Sequence, residues 1–230
     1  MTEKHLSSQF DADLADISTE VLQMGGLIEA QVQSAIRALE TFDVSLAENV
    51  IATEARVNRQ EVEIDAHCSD IIARRQPTAR DLRLLMAISK TITNLERAGD
   101  EAYHIATRSK HIICEVSRPT IDFSEFRVST ALAVEMLRKA LDAFARLDAA
   151  AAAEIVQEDR ALDEEFRGFV RKLMSYMMEN PKLISVSLDY LFIAKAIERI
   201  GDHATNIAEF TIYIVKGTDV RHIGQEASKD

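Results

Sequence analysis

The chain has 230 residues, a formal net charge of −11, 47% hydrophobic and 28% charged residues, and only two cysteines. That much apolar material supports a packed core and excludes a disordered chain, while the acidic balance argues against a nucleic-acid backbone as partner. The start, MTEKHLSSQFDADL, has no apolar run behind a basic stretch, and the most apolar segment, residues 183–200, is interrupted by Asp189, Lys195, Glu198 and Arg199. Neither a secretory signal nor a membrane span is expected, so the expected compartment is the cytoplasm.

Apolar residues recur at helical spacing from the outset, as in Leu14, Ile17, Val21, Met24, Ile28 and Val32, and strand-period alternation is not sustained anywhere. The three prolines, Pro77, Pro119 and Pro181, mark turns. Two further breaks are expected at Phe42-Asp43 and Leu147-Asp148, where each aspartate is placed to cap the following helix. Six helices follow, over residues 7–42, 44–75, 79–116, 123–146, 149–179 and 182–216, ending before Gly217. Short connections make neighbours antiparallel. The expected fold is therefore all-α: two tandem three-helix bundles, residues 1–118 and 119–217, with a polar tail over 218–230 and the join at 118–122.

An internal repeat supports the division. The segment LERAGDEAYHIA at residues 95–106 returns as IERIGDHATNIA at 197–208, so that Glu96, Arg97, Gly99 and Asp100 stand 102 positions before Glu198, Arg199, Gly201 and Asp202. The pairs Ala38-Leu39 and Ala140-Leu141, and Phe42 and Phe144, share that offset, whereas Glu54 precedes Asp159 by 105. A period near 100 residues denotes two domains, not a solenoid.

Each repeat ends in Glu-Arg-x-Gly-Asp, which stacks Glu96 over Asp100 and Glu198 over Asp202 on one helical face. Like charges at that spacing repel, and a cation between them removes the penalty. The glycine leaves room for an ion or another helix. A second set lies on the middle helices, Glu54/Asn58 and Asp159/Asp163, with Glu61 and Asp65 continuing the first line. Hard oxygen ligands of this kind suit Mg, Mn, Ca or iron better than a thiolate zinc site. Solvated acidic faces are the alternative. Arg97 and Arg199 suit either phosphate or a salt bridge to a neighbouring helix, the latter preferred, and His104 and His203 lie near enough to extend a metal site. Gly25-Gly26 suggests a kink or close packing, Met174, Met177 and Met178 core filling ahead of a docking surface, and Cys68 and Cys114 half-buried positions.

The two motif segments, with PTARDLR at residues 77–83 and the DRALD middle motif, resemble the PhoU family from about residue 10 to residue 216. The resemblance implies a pair of three-helix bundles related by internal pseudo-two-fold symmetry, often a homodimer, with multinuclear iron or zinc on the paired motifs. It carries metal ligation to Glu96, Asp100, Glu198, Asp202, Asp159 and Asp163, while Asn58 beside Glu54 puts an amide where the pattern has a carboxylate. It also implies a non-enzymatic, negative regulator of the phosphate-starvation response, acting through the ATPase subunit of the phosphate ABC transporter and its sensor histidine kinase. Contact with the membrane would come only through the transporter. A ferritin-like di-iron oxidase is disfavoured, because Glu101-x-x-His104 has no second copy: the matching stretch begins at His203 and ends at Asn206. A metal-free helical adaptor is the third reading.

Overall fold

The computed structural model describes residues 8–116 and 124–217. They form α1 (Ser8–Thr41), α2 (Val44–Arg75), α3 (Ala79–Glu115), α4 (Ser124–Arg146), α5 (Ala149–Glu179) and α6 (Ile184–Lys216), with no strand among the described residues. The expected join and tail lie outside them. The sixth helix starts two residues later than expected, because Pro181–Leu183 first makes a 3-10 turn, with Asn180 Oδ1 accepting from the Lys182 amide at 3.2 Å.

The breaks follow from local chemistry. Phe42 and Leu147 adopt left-handed backbone, with φ of 55° and 52°. Around them, the Asp43 amide reaches back to Ala38 O and the Asp148 amide to Ala143 O, each at 2.9 Å. These are Schellman endings made without glycine. Asp43 then caps α2 through the Leu46 amide, and Asp148 caps α5 through the amides of Ala150 and Ala151. Gly217, at φ 71°, closes α6.

These turns correct one reading of the repeat. Ala38, Phe42 and Asp43 correspond to Ala143, Leu147 and Asp148, an offset of 105, so the 102-residue matches of Ala38-Leu39 with Ala140-Leu141 and of Phe42 with Phe144 are not structural equivalents. Three residues are most of a helical turn, and an Ala- and Leu-rich face matches itself nearly as well at either register.

Within each repeat the three helices pack together, and the repeats join through α3 against α6 and α1 against α4. One continuous core results. It includes Ile17, Met24, Ile28, Leu95 and Ile105 from the first repeat and Phe144, Tyr190, Ile193, Ile197 and Ile207 from the second. The ring of Phe126 meets Phe169 and Tyr190 inside it, with centroids at 4.5 and 5.9 Å.

The glycines of the motif are notches for the middle helices. A Cβ on Gly201 would stand 2.3 Å from Leu162 Cδ2, and one on Gly99 would stand 3.0 Å from Val57 Cγ1. Leu162 and Val57 are themselves 105 residues apart, so both repeats seat the same side chain in the same notch.

Two expectations fail on burial. Cys68 is buried, its thiol pushed up to about 12 chiefly by desolvation, and Cys114 is exposed, so neither is half-buried. Met174 and Met178 are exposed, Met178 at 82%, and only Met177 packs against the core. The two exposed methionines lie on the outer face of α5, while their neighbours Leu173 and Met177 face inward.

Gly25 and Gly26 separate cleanly. A Cβ on Gly25 would meet Leu141 Cδ1 of α4 at 2.3 Å, whereas one on Gly26 would meet nothing within 4 Å. Gly25→Val is expected to lower stability by about 1–3 kcal/mol through overpacking, and Gly26→Ala to raise it by about 0.5–1 kcal/mol, both read from urea unfolding midpoints.

Candidate functional site

The repeated motifs lie at mid-helix in α3 and α6, which run antiparallel across the pseudo-two-fold axis, and their polar residues tie one repeat to the other. Asn94 of α3 is buried; its Oδ1 accepts from Asn206 Nδ2 at 3.1 Å and from His203 Nδ1 at 3.2 Å, while its own Nδ2 donates to Lys90 O. His203 therefore carries its proton on Nδ1. Burial, then the charges of Arg97 and Arg199, push its pKa down to about 4, so it is neutral at physiological pH. His203 is thus engaged in the seam between repeats, and His104 is exposed beside Tyr103, with ring centroids 5.7 Å apart.

Arg199 donates to Glu101 Oε1 at 3.1 Å, the salt bridge to a neighbouring helix that the sequence favoured. Glu101 is almost fully buried and Arg199 half exposed. The pseudo-symmetric pair would be Arg97 with residue 203, where the second repeat has histidine instead of glutamate. Arg97 consequently has no hydrogen bond or ion pair among the described residues. Between the helices opens a cavity of about 370 Å³, lined by four repeat-related pairs: Arg97 and Arg199, Asp100 and Asp202, Glu101 and His203, His104 and Asn206.

The carboxylates of each repeat also come together across the middle-helix interface. In the second repeat, Asp202 is pushed up to about 6, first by desolvation and then by Glu198 and Asp159, with Asp163 adding to it and Lys195 opposing. Asp159 is raised by burial and then by Asp163 and Glu198. In the first repeat, Glu96 is raised by burial and then by Asp100, Glu61 and Glu54. Asn58 lies beside this group with its Oδ1 buried and without a hydrogen-bond partner. Glu61 supplies the carboxylate that Asn58 lacks, one helical turn on, and is fixed there by Thr93 Oγ1 at 3.1 Å; Ser89 holds Asp65 in the same way at 2.7 Å. Each repeat thus gathers four carboxylates: Glu54, Glu61, Glu96 and Asp100 in one, Asp159, Asp163, Glu198 and Asp202 in the other.

The two groups are answered differently. Lys195 donates to Glu198 and Arg167 to Asp163, whereas the equivalent positions in the first repeat are Thr93 and Val62. Crowded acids with raised pKa values and an orphaned buried amide oxygen fit a hard cation. The donors are nonetheless open: among the described residues, three His, Cys, Asp or Glu donor atoms come within 4.8 Å of one another only at His111, Glu115 and Asp189.

That last group escaped the sequence reading, although Asp189 stood out as a charge in an apolar run. Its geometry is that of an ion-pair clamp. His111 Nδ1 meets Asp189 Oδ2 at 2.6 Å and its Nε2 meets Glu115 Oε1 at 3.1 Å, while Arg108 takes Asp189 Oδ1 at 3.0 Å. Carboxylates on both ring nitrogens favour the protonated imidazole, and the pKa is raised first by the Asp189 hydrogen bond. Arg108 also stacks on Phe192, 4.7 Å from its centroid. The clamp ties the end of α3 to the start of α6.

Fold and site together define a tandem helical-bundle protein with doubled carboxylate motifs, and among the described residues no helix is long and apolar enough to cross a membrane. The PhoU domain matches twice, over residues 21–109 and 130–211. The chain is 55% identical over 227 residues, 98% of its length and 97% of the relative's, to a Burkholderia sp protein named phosphate-specific transport system accessory protein PhoU homolog. The crystal structure of PhoU from Pseudomonas aeruginosa superposes with a TM-score of 0.87 at 44% identity, covering 91% of this chain and all of that one. The phosphate transport system regulatory protein PhoU from Streptococcus pneumoniae superposes at 0.84 and 26% identity, covering 92% and 99%. The chain belongs to the PhoU family.

A carboxylate whose pKa is higher folded than unfolded opposes folding once ionised. For the half-buried Asp202, at about 6 against 3.8, solvent screening leaves about 1–2 kcal/mol of this above pH 6, relieved as pH falls from 6 towards 4. Asp202→Asn should therefore raise the melting temperature of chelator-treated protein at pH 7.5, by roughly 5 °C, with the gain shrinking towards pH 4.5 in thermal scans.

Proposed function

We propose that this chain is a cytoplasmic, non-enzymatic regulator of phosphate uptake and a negative regulator of the phosphate-starvation response, acting on the ATPase subunit of the phosphate ABC transporter and on its sensor histidine kinase. Membership of a family whose relatives are named as phosphate transport accessory and regulatory proteins, across nearly the whole chain, carries this reading. A pair of back-to-back bundles offers broad faces for docking, and the net charge of −11 favours basic partner surfaces. A homodimer is the assembly this reading adopts. Deleting the gene should leave phosphate-starvation genes expressed in phosphate-rich medium, measured by transcript level; normal repression in the deletion strain would refute it.

The carboxylate groups are proposed to hold a hard cation, iron, Mn or Mg, or zinc as a mixed oxygen site. Glu96 and Asp100 would act with Glu54, Asn58 and Glu61, and Glu198 and Asp202 with Asp159 and Asp163. The orphaned Asn58 Oδ1 supports this in the first repeat and the charge crowding at Asp202 in the second. There the cation would supply countercharge; no chemical step is assigned to it. Elemental analysis of protein purified without chelator is expected to find bound metal that drops by about half in Glu198→Ala/Asp202→Ala, with the first repeat retaining its share.

A further inference from the structure

We propose that the cavity between α3 and α6 binds a small tetrahedral oxyanion that keeps a proton, namely inorganic phosphate. The inference rests on the reading above for its biological sense and deepens it by naming a ligand, but the site itself stands on the arrangement of donors and acceptors in the cavity.

A symmetric duplication would have filled this space with two arginine–glutamate pairs. Only one formed. Arg199 is anchored by buried Glu101 and keeps most of its five N–H donors, whereas Arg97 faces His203 and makes no hydrogen bond or ion pair among the described residues. His203 cannot answer Arg97 as an acid, and its Nδ1 is committed to Asn94. Two guanidinium forks from opposite repeats therefore line one open cavity of about 370 Å³. Planar forks recognise the oxygens of tetrahedral anions bidentately. Asn206 uses one amide hydrogen on Asn94, leaving its second as a further donor.

Asp100 and Asp202 line the same cavity, and they decide which anion is suited. Sulfate, fully ionised at neutral pH, can only repel two carboxylates. Phosphate retains at least one P–OH at pH 7.5 and donates it to a carboxylate oxygen, so the same side chains become hydrogen-bond acceptors. A phosphomonoester is mostly dianionic at that pH and has lost the hydroxyl. Arginines alone would take all three anions. Arginines mixed with aspartates select the protonated one.

The test is equilibrium dialysis of radiolabelled inorganic phosphate against the full chain, stripped with chelator so that no bound metal serves as the phosphate ligand, at pH 7.5. Saturable binding is expected, unaffected by a tenfold excess of sulfate or phosphoserine. Arg97→Ala, which removes an exposed and unpaired side chain and should leave the helical circular dichroism and melting temperature unchanged, is expected to weaken binding at least tenfold. Asp202→Asn is expected to weaken the discrimination against sulfate, and Asp100→Asn/Asp202→Asn to abolish it. Absence of saturable binding, equal competition by sulfate in the unaltered protein, or full affinity in a folded Arg97→Ala would overturn the proposal. Those results would leave the gene-deletion phenotype untouched, so failure of the ligand and failure of the regulatory reading are separable.

Discussion

Charge carried into a helix–helix seam must be met by the helix opposite, and in this protein that demand is placed on α3 and α6. Three ties between side chains run along their antiparallel contact, Asn94 with His203 and Asn206, Glu101 with Arg199, and Asp189 with Arg108 and His111, and Arg83 adds a hydrogen bond to Ile214 O at 3.4 Å. Removing the half-exposed partner would leave buried Asn94, Glu101 or Asp189 unanswered, at a cost of about 1–3 kcal/mol, more than such a pair itself contributes. The ties therefore act mainly on specificity. They fix which residue of one repeat faces which residue of the other, and with that the cavity, the acids lining it and the mutual orientation of the two bundles.

The duplication explains the site's composition, and its decay explains the site's asymmetry. Glutamate at 101 is matched by histidine at 203, which leaves Arg97 without the carboxylate that Arg199 has. Threonine at 93 is matched by lysine at 195, and valine at 62 by arginine at 167, so the second carboxylate group carries its own cations. The first group has none in those places and an amide at 58. Yet it recovers its fourth carboxylate through Glu61, whose counterpart, Phe166, is apolar. Charge has been redistributed between the halves while the number of carboxylates gathered is the same.

Helix existence and helix ends were legible because they depend on neighbours in sequence: proline, the capping aspartates and Gly217 act within one turn. The stacking of Glu96 over Asp100, Asp159 over Asp163 and Glu198 over Asp202 was legible because i to i+4 geometry is fixed once a helix is granted, whereas Glu61 stood in the sequence only as a continuation of the Glu54 line. What escaped depends on contacts between helices. The true register of α1 against α4 was hidden by a face of alanine and leucine that matches itself at either offset. Phe42 and Leu147 gave no sign of left-handed backbone, since glycine is the usual signal and the Schellman hydrogen bonds here override side-chain preference. Met174 and Met178 were placed in the core because methionine suits one, but they stand on the outer face of α5, beside Leu173 and Met177, which face inward. Asn94, Glu101 and the Asp189 clamp acquire meaning only from the helix opposite. The exchange of Glu101 for His203 was visible in the aligned repeats, but its consequence for Arg97 was not.

The seating of Leu162 in the Gly201 notch, and of Val57 at Gly99, bears on how the carboxylates are spaced. A side chain lodged in a gap one residue wide prevents its helix from sliding along the other, because the positions one turn away on that face, Ile197 and Glu198 on one side and Thr205 on the other, carry bulk. Asp159 Oδ1 lies 3.7 Å from where the Gly201 Cβ would be, so the same contact sets how far α5 holds its acids from those of α6. The separation of the negative groups is thus imposed by an apolar latch, formed as the bundle folds. An incoming ion meets a frame already held against its own repulsion, and the work of assembling it has been done by packing.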